Sequence, residues 1–535
     1  MKTLEQKLKT YADENETRRT TLDTKMQKED WKEFNLKNPY TIVRQFVIDK
    51  GLKLYGGQAL HEHLEKHGKG LYTKNQFPDY DVFSPDAWNH AKELSDKLYE
   101  LGYSFVEAKS SVLNDEHHQT YKVSVDMIPM LDLTQVGCPA KELKDNKCSV
   151  CSIKDNKGKC MSIFNEIPAI DISQSPDKYE IYNRTYDYET DKNIYKNKMF
   201  VASPDWLKIS MYKELIEPIN YPERIPKVGK RLEIFNKYFE TQFMACSKQD
   251  RQESINDTKI QSIIDYIGDY TKGKELIHVG ATAHNFFIKN VAKLQEIPIN
   301  TYIVYTINDA SAYKLEEKLK KKFNKDTFKI HKRQLYWKGR YDDETVISVK
   351  NAKGKYYTLI TFIELSLCAP YLKVNGYRYA TMDTLKYRYY MGKAIPELLK
   401  LTEQQPHNYG CLLKDLLTAE RRNKRKTKKN PTKSKFRRLV SRCQGDEVDP
   451  RMESMETRWS AKLKTLKKTK YYIDNPKKGF ITKVYPMENT QKHMPYKPEE
   501  KIYKTYIYKD KYAVDDAWRA SNNKNNKKAE NIASS

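Results

Sequence analysis

The apolar positions of residues 46–135 alternate between two periods, which predicts short strands interleaved with helices. KLYGG (53–57) ends a strand, and QALHEHLEKHG (58–68) follows as a helix with Gly68 as its stop. DYDVF (79–83) is a short strand. SPDAWNHAKELSDKLYELG (84–102) opens with a Ser-Pro-Asp start signal, sets Ala91, Leu94, Leu98 and Leu101 on one stripe and stops at Gly102. TYKVSVDMIPM (120–130) reads as one strand, with Tyr121, Val123 and Val125 on one face and Lys122, Ser124 and Asp126 on the other.

The same reading divides the rest of the chain. Residues 1–45 are charged and helical, and 46–190 form the first α/β domain, interrupted by a cysteine-rich insertion at 137–165. Residues 191–254 are a helical segment in which LKISMYKEL and KRLEIFNKYF are amphipathic. A second α/β pattern spans 255–400, and 401–535 is a basic region whose last fifteen residues have the composition of disorder. The fold class is α/β (α+β), and no apolar run is long enough to cross a membrane.

Composition sharpens this picture at two points. With 97 Lys+Arg against 71 Asp+Glu the formal net charge is +26, which predicts a polyanionic partner, RNA or DNA before an anionic membrane. The charge is clustered: RRNKRKTKKNPTKSKFRR (421–438) has eleven Lys or Arg in eighteen positions and no acid. Arg421, Arg422, Lys424, Arg425, Lys426, Lys428, Lys429, Arg437 and Arg438 are the candidate RNA contacts of that run. TLKKTKYY (465–472) and KIYKTYIYKDKY (501–512) mix cations with tyrosines that can stack bases. A nuclear address and a solvated segment are the competing readings of the run. Eight Cys in 535 residues without a signal peptide predict reduced thiols in a cytosol-like compartment. Cys138, Cys148, Cys151 and Cys160 lie close enough in sequence to form a structural Zn²⁺ site, with a surface loop as the alternative. His63 and His67, four apart on the first helix, are expected to be surface residues.

The candidate chemistry lies in the first α/β domain. Asp79 and Asp81 share one face of a strand, and Asp126 is the third acid of the expected set. Three carboxylates at a sheet edge suit hard cations such as Mg²⁺ or Mn²⁺, which can hold both oxygens of an in-line phosphoryl displacement. Gly56 and Gly57, at a helix start with no Cβ, let backbone N–H groups approach a triphosphate.

LYGGQALHEHL, FPDYDVFS and VSVDMIPMLDLT resemble the catalytic subunit of the poly(A) polymerases of poxviruses and giant DNA viruses, within the polymerase-beta-like nucleotidyltransferase superfamily. SPDWLKISMYKELIEPINYPERIPKVGKRLEIF (203–235) resembles the helical segment that follows the catalytic domain in that family. The resemblance implies template-independent addition of AMP from ATP to RNA 3′ ends. It also implies metal ligation by Asp79, Asp81 and Asp126 and a nucleotide loop at Gly56 and Gly57. Lys208 and Lys213 are the triphosphate contacts expected on the following helix. It further implies a location in a viral factory in the host cytoplasm or in the virion. A processivity subunit, as in the poxvirus relatives, or a homodimer are the partners it leaves open. A terminal uridylyltransferase and a non-catalytic RNA-binding scaffold are the alternatives to adenylate transfer.

HVGATAHNFF (278–287) echoes LYGGQALHEH. Setting Gly57 on Gly280 places Asp79 on Tyr302, Asp81 on Val304 and Asp86 on Asp309. The echoed strand has no acid, so the expectation is a second, degenerate nucleotidyltransferase-like domain, as the resemblance also implies.

Overall fold

The computed structural model describes residues 37–426, together with 443–444 and 506–508. Internal stretches are excepted, those of eight residues or more being 111–119, 139–161, 217–224, 247–254, 334–342 and 396–407.

The first half is an eight-stranded sheet. In chain order its elements are α1 (Lys37–Asp49), β1 (Lys53–Tyr55), α2 (Gly56–Glu65), β2 (Tyr80–Ser84), α3 (Ala87–Glu100), β3 (Val106–Ser110), β4 (Thr120–Val125), β5 (Ile128–Gln135), β6 (Ala169–Asp171) and β7 (Phe200–Ala202). Two helices, α4 (Pro204–Ile216) and α5 (Ile225–Tyr238), follow it, and α6 (Thr258–Thr271) leads into the second half. There come β8 (Ile277–Val279), α7 (Gly280–Ile288), β9 (Tyr302–Thr306), α8 (Ala310–Lys322), β10 (Phe328–Arg333), β11 (Glu344–Lys350), β12 (Tyr356–Glu364), β13 (Ala369–Val374) and β14 (Tyr377–Ala380). Two helices, α9 (Met382–Ala394) and α10 (Tyr409–Lys426), and two short strands, β15 (Cys443–Gln444) and β16 (Tyr506–Tyr508), complete it.

The sheets run β16-β3-β4-β5-β2-β1-β7-β6 and β10-β11-β12-β9-β8-β14-β13-β15. From β3 to β6 and from β10 to β13 the two orders correspond strand for strand, with the same parallel and antiparallel pairings. The expected second copy of the fold is present. Its alignment differs from the sequence echo by one residue at each end. Tyr55 pairs with Asp81 and Val279 with Ile303, so Gly280 stands where Gly56 does and Ile303 where Asp81 does.

Local expectations hold where the period is unambiguous. Gly68 has φ +63° and its N–H donates to Glu65 O at 2.8 Å, closing the end of α2. Ala91, Leu94 and Leu98 are fully buried along α3, while Leu101 of the expected stripe is exposed just past its end. TYKVSVDMIPM is not one strand: β4 ends at Val125, and Ile128 opens β5, antiparallel to it. α4 is not amphipathic but buried nearly all round, because α5 packs on one side and α9 on the other. Burying so much apolar surface is the main source of its stability, at roughly 25 cal/mol per Å² removed from water.

The α4–α9 contact is close to symmetric. Aligning Ser203 with Thr381 sets Asp205, Leu207, Lys208 and Tyr212 on Asp383, Leu385, Lys386 and Tyr390. Tyr212 and Tyr390 stack with ring centroids 5.7 Å apart, and each lysine lies 5.5 Å from the other helix's tyrosine ring. Cys246 and Cys411 form a disulfide with Cα atoms 5.7 Å apart, and Cys138 is disulfide-bonded too, where reduced thiols were expected. Among the described residues no helix is long and apolar enough to cross a membrane.

Candidate active site

β1 delivers the chain into α2 through a turn that only glycine fits. Gly56 has φ +72°, and a Cβ there would lie 2.1 Å from Asp81 Oδ2. The Gly57 N–H donates to the Asp81 carboxylate, so the turn and the acid are built against each other. The stacked rings of Tyr55 and Phe83, 4.1 Å between centroids, lie on the neighbouring strands, and the Tyr55 hydroxyl bonds Thr134 Oγ1 at 2.8 Å.

Asp81 of β2 pairs in register with Asp132 of β5, its parallel neighbour. Asp132 in turn pairs across the antiparallel β4–β5 ladder with Lys122, whose ammonium donates to Asp132 Oδ2. Parallel and antiparallel neighbours thus place a carboxylate on one side of Asp132 and a cation on the other. Asp132 is buried, and its Oδ1 has no hydrogen-bond partner. Burial, then the charges of Asp79 and Asp132, push the Asp81 carboxyl from its ordinary 3.8 up to about 7. Burial also raises Asp132, against the pull of Lys122.

Asp79, just before β2, is half-buried and acts on both acids through its charge. Asp126, expected as the third acid, lies outside the described residues. The acid that the structure sets beside Asp81 is Asp132, which the sequence reading missed. Its signal was the apolar-Asp-apolar run Leu131-Asp132-Leu133 on a strand parallel to the one bearing Asp81. Among the described residues no three His, Cys, Asp or Glu side chains stand preassembled as a metal-binding group.

The expected lysines fare differently. Lys208 is turned inward, and its ammonium donates to Phe239 O at 2.6 Å and Thr241 Oγ1 at 2.9 Å. Burial lowers its pKa from 10.5 to about 8. Lys213 is half-buried, with its ammonium 5.8 Å from the Tyr387 ring. His63 is buried rather than on the surface, its Nε2 2.9 Å from Ala202 O and its ring edge-on to Phe235 and Phe239. His67 is half-buried against Tyr238 and Phe239.

Of the basic run, Arg421 and Arg422 are exposed on α10, and Lys424, Arg425 and Lys426 lie on the same helix. Lys428, Lys429, Arg437 and Arg438 lie outside the described residues, as do Cys148, Cys151 and Cys160 of the expected zinc loop. Cys138 is disulfide-bonded. Within the tyrosine-rich segment at 501–512, β16 pairs antiparallel with β3 at the edge of the first sheet.

Residues 41–143 match the family model described as the poly(A) polymerase catalytic subunit. The chain is 39% identical over 93 residues to a putative poly(A) polymerase catalytic subunit of African swine fever virus, a stretch covering 17% of this chain and 19% of that relative. It is 30% identical over 95 residues to the protein so described in Acanthamoeba polyphaga mimivirus, covering 17% and 16%. The matched stretch thus spans less than a fifth of either curated relative. The crystal structure of the Megavirus polyadenylate synthase shares the fold, with a TM-score of 0.61 at 19% identity over 85% of this chain and 83% of that one.

Proposed function

We propose that this chain, whose residues 41–143 match a poly(A) polymerase catalytic subunit domain, is a polynucleotide adenylyltransferase that adds AMP from ATP to RNA 3′ ends. The observation that carries the reading is the Asp81–Asp132 pair on parallel strands, set against the Gly56–Gly57 turn. Its residues fit a divalent cation. They are hard oxygen donors, one of them the buried and unpartnered Asp132 Oδ1, and burial, then the neighbouring charges of Asp79 and Asp132, raises the Asp81 carboxyl. Asp79, Asp81 and Asp132 would hold Mg²⁺ or Mn²⁺, which when bound supplies charge neutralisation for attack of the 3′-hydroxyl on the α-phosphate and for loss of pyrophosphate.

The chain's own groups position the reactants. The Gly57 N–H fixes the Asp81 carboxylate, and Lys122 fixes Asp132 from the opposite strand. The Cβ-free turn lets the Asp81 carboxylate and the Tyr72 hydroxyl approach the start of α2 closely, where a phosphate would also bind. The exposed cations of α10 suit sequence-independent contacts to the RNA backbone.

The test is an extension assay on a short single-stranded RNA with Mg²⁺ and each ribonucleoside triphosphate separately. Ladders with ATP, lost in Asp81→Asn, are expected. Ladders with UTP alone would replace adenylate by uridylate transfer at the same site. Absence of extension with any nucleotide would refute the reading.

A further inference from the structure

Lys208 points inward, and the ammonium of Lys213 lies 5.8 Å from the Tyr387 ring. A further cation lies at the nucleotide turn. A Cβ on Gly57 would lie 2.3 Å from the Tyr72 hydroxyl and 3.7 Å from Arg231 Nη1. Arg231, on α5, is half-buried, and its Nη2 donates to the Tyr72 hydroxyl at 3.2 Å. Among the described residues it forms no ion pair with a carboxylate.

We propose that Arg231, steadied by Tyr72, binds the terminal phosphates of a nucleoside triphosphate at the Gly56–Gly57 turn. This rests on the nucleotide site proposed above. The electrostatics give the reason. Tyr55, at the cap position of α2, makes no side-chain cap bond, and beyond the Asp81 carboxylate that takes the Gly57 N–H the positive end of the helix has the Arg231 guanidinium beside it. A polyphosphate placed there satisfies both, and the planar fork suits its oxygens. On the strand beside Asp81, Asp132 is buried with Oδ1 unpartnered, which calls for a cation. A metal-bound triphosphate answers both demands: its metal reaches the acids and its terminal phosphates reach Arg231. Because Tyr72 accepts from Arg231, its own hydroxyl proton stays available to a phosphate oxygen.

The test is calorimetric titration of ATP, AMP and inorganic tripolyphosphate, each with Mg²⁺, into the full chain and its variants. Arg231→Met is expected to weaken ATP and tripolyphosphate binding by about tenfold to a hundredfold, the range of a charge-assisted hydrogen bond, and to leave AMP unchanged. Arg231→Lys should recover part of the loss, since it keeps the charge without the fork. Tyr72→Phe, the mildest change, should cost about twofold to tenfold. Wild-type affinity for ATP and tripolyphosphate in Arg231→Met would overturn the proposal, as would a wild-type chain that binds neither. If wild type adds no AMP to RNA yet Arg231→Met loses tripolyphosphate, the polymerase reading falls and this one stands. If wild type extends RNA and Arg231→Met binds tripolyphosphate unchanged, only this assignment falls.

Discussion

In the first copy of the fold, the strand after the glycine turn carries Asp81 beside Asp132. In the second, the same two places hold Ile303 and Thr361, both buried. The turns are alike: Gly56 and Gly280 both have φ above +60° and both open a helix without a side-chain cap. What differs is the atom each glycine faces, a carboxylate oxygen in one and the Ile303 methyl in the other. The backbone recipe alone therefore makes a helix start against a sheet. Chemistry requires charged oxygens that the core cannot satisfy by itself, and the second copy holds uncharged, buried side chains in their place.

The paired helices teach the same lesson through charge. Lys208 and Lys386 occupy equivalent places on α4 and α9, yet burial lowers the first while Tyr212, then Glu420 and Asp383, hold the second above its ordinary value despite burial. Lys386 donates to Glu420 at 2.8 Å, whereas Lys208 relies mainly on a carbonyl and a hydroxyl.

The largest expected effect separates the two copies by function. Asp81→Asn should lower AMP addition by at least about a thousandfold, since it removes a charge the transition state needs. Its melting temperature in metal-free buffer should hold or rise, because a buried like-charge cluster is relieved. Next, Ile303→Asp, which writes the acid into the second copy, should cost about 3 kcal/mol or more in chemical denaturation. A cost below about 1 kcal/mol would show that the second site is not sealed. Lys386→Met, which removes the buried ammonium that donates to Glu420, should cost about 3 kcal/mol, while Lys208→Met should cost clearly less. Equal costs would break the contrast between the helices. Gly280→Ala should cost only about 1–2 kcal/mol, since the atom it meets is a flexible side-chain end. Gly56→Ala should in addition abolish AMP addition.

The smallest effect is a pH dependence. Asp81, with its carboxyl raised to about 7, keeps in the folded state a proton that the unfolded chain releases near its ordinary 3.8. Metal-free stability therefore falls as pH rises between those values, and that slope should shrink in Asp81→Asn, Asp132 leaving a remainder of the same sign. A divalent cation must displace the same proton, so its affinity should climb as pH rises through about 7.

The turn, the first acids and the following helix were legible in the sequence because glycine pairs, an Asp-x-Asp strand and a period of 3.6 are local signals. The duplication was legible for the same reason, although its alignment was off by one residue at both the glycine and the strand. Asp132 was not legible. Reading 120–130 as one strand carried the alternation past Val125, and a chain reversal there decides which later residue meets Asp81. The burial of Lys208 and His63 was not legible because it comes from α5, α9 and the segment after α5, packing no local pattern encodes.

The most direct test of the central claim compares AMP addition to RNA by wild type, Asp132→Asn and Asp126→Asn under saturating ATP and Mg²⁺. The account predicts that Asp132→Asn is inactive and that Asp126→Asn retains activity. An active Asp132→Asn beside an inactive Asp126→Asn would contradict it and return the third carboxylate to Asp126.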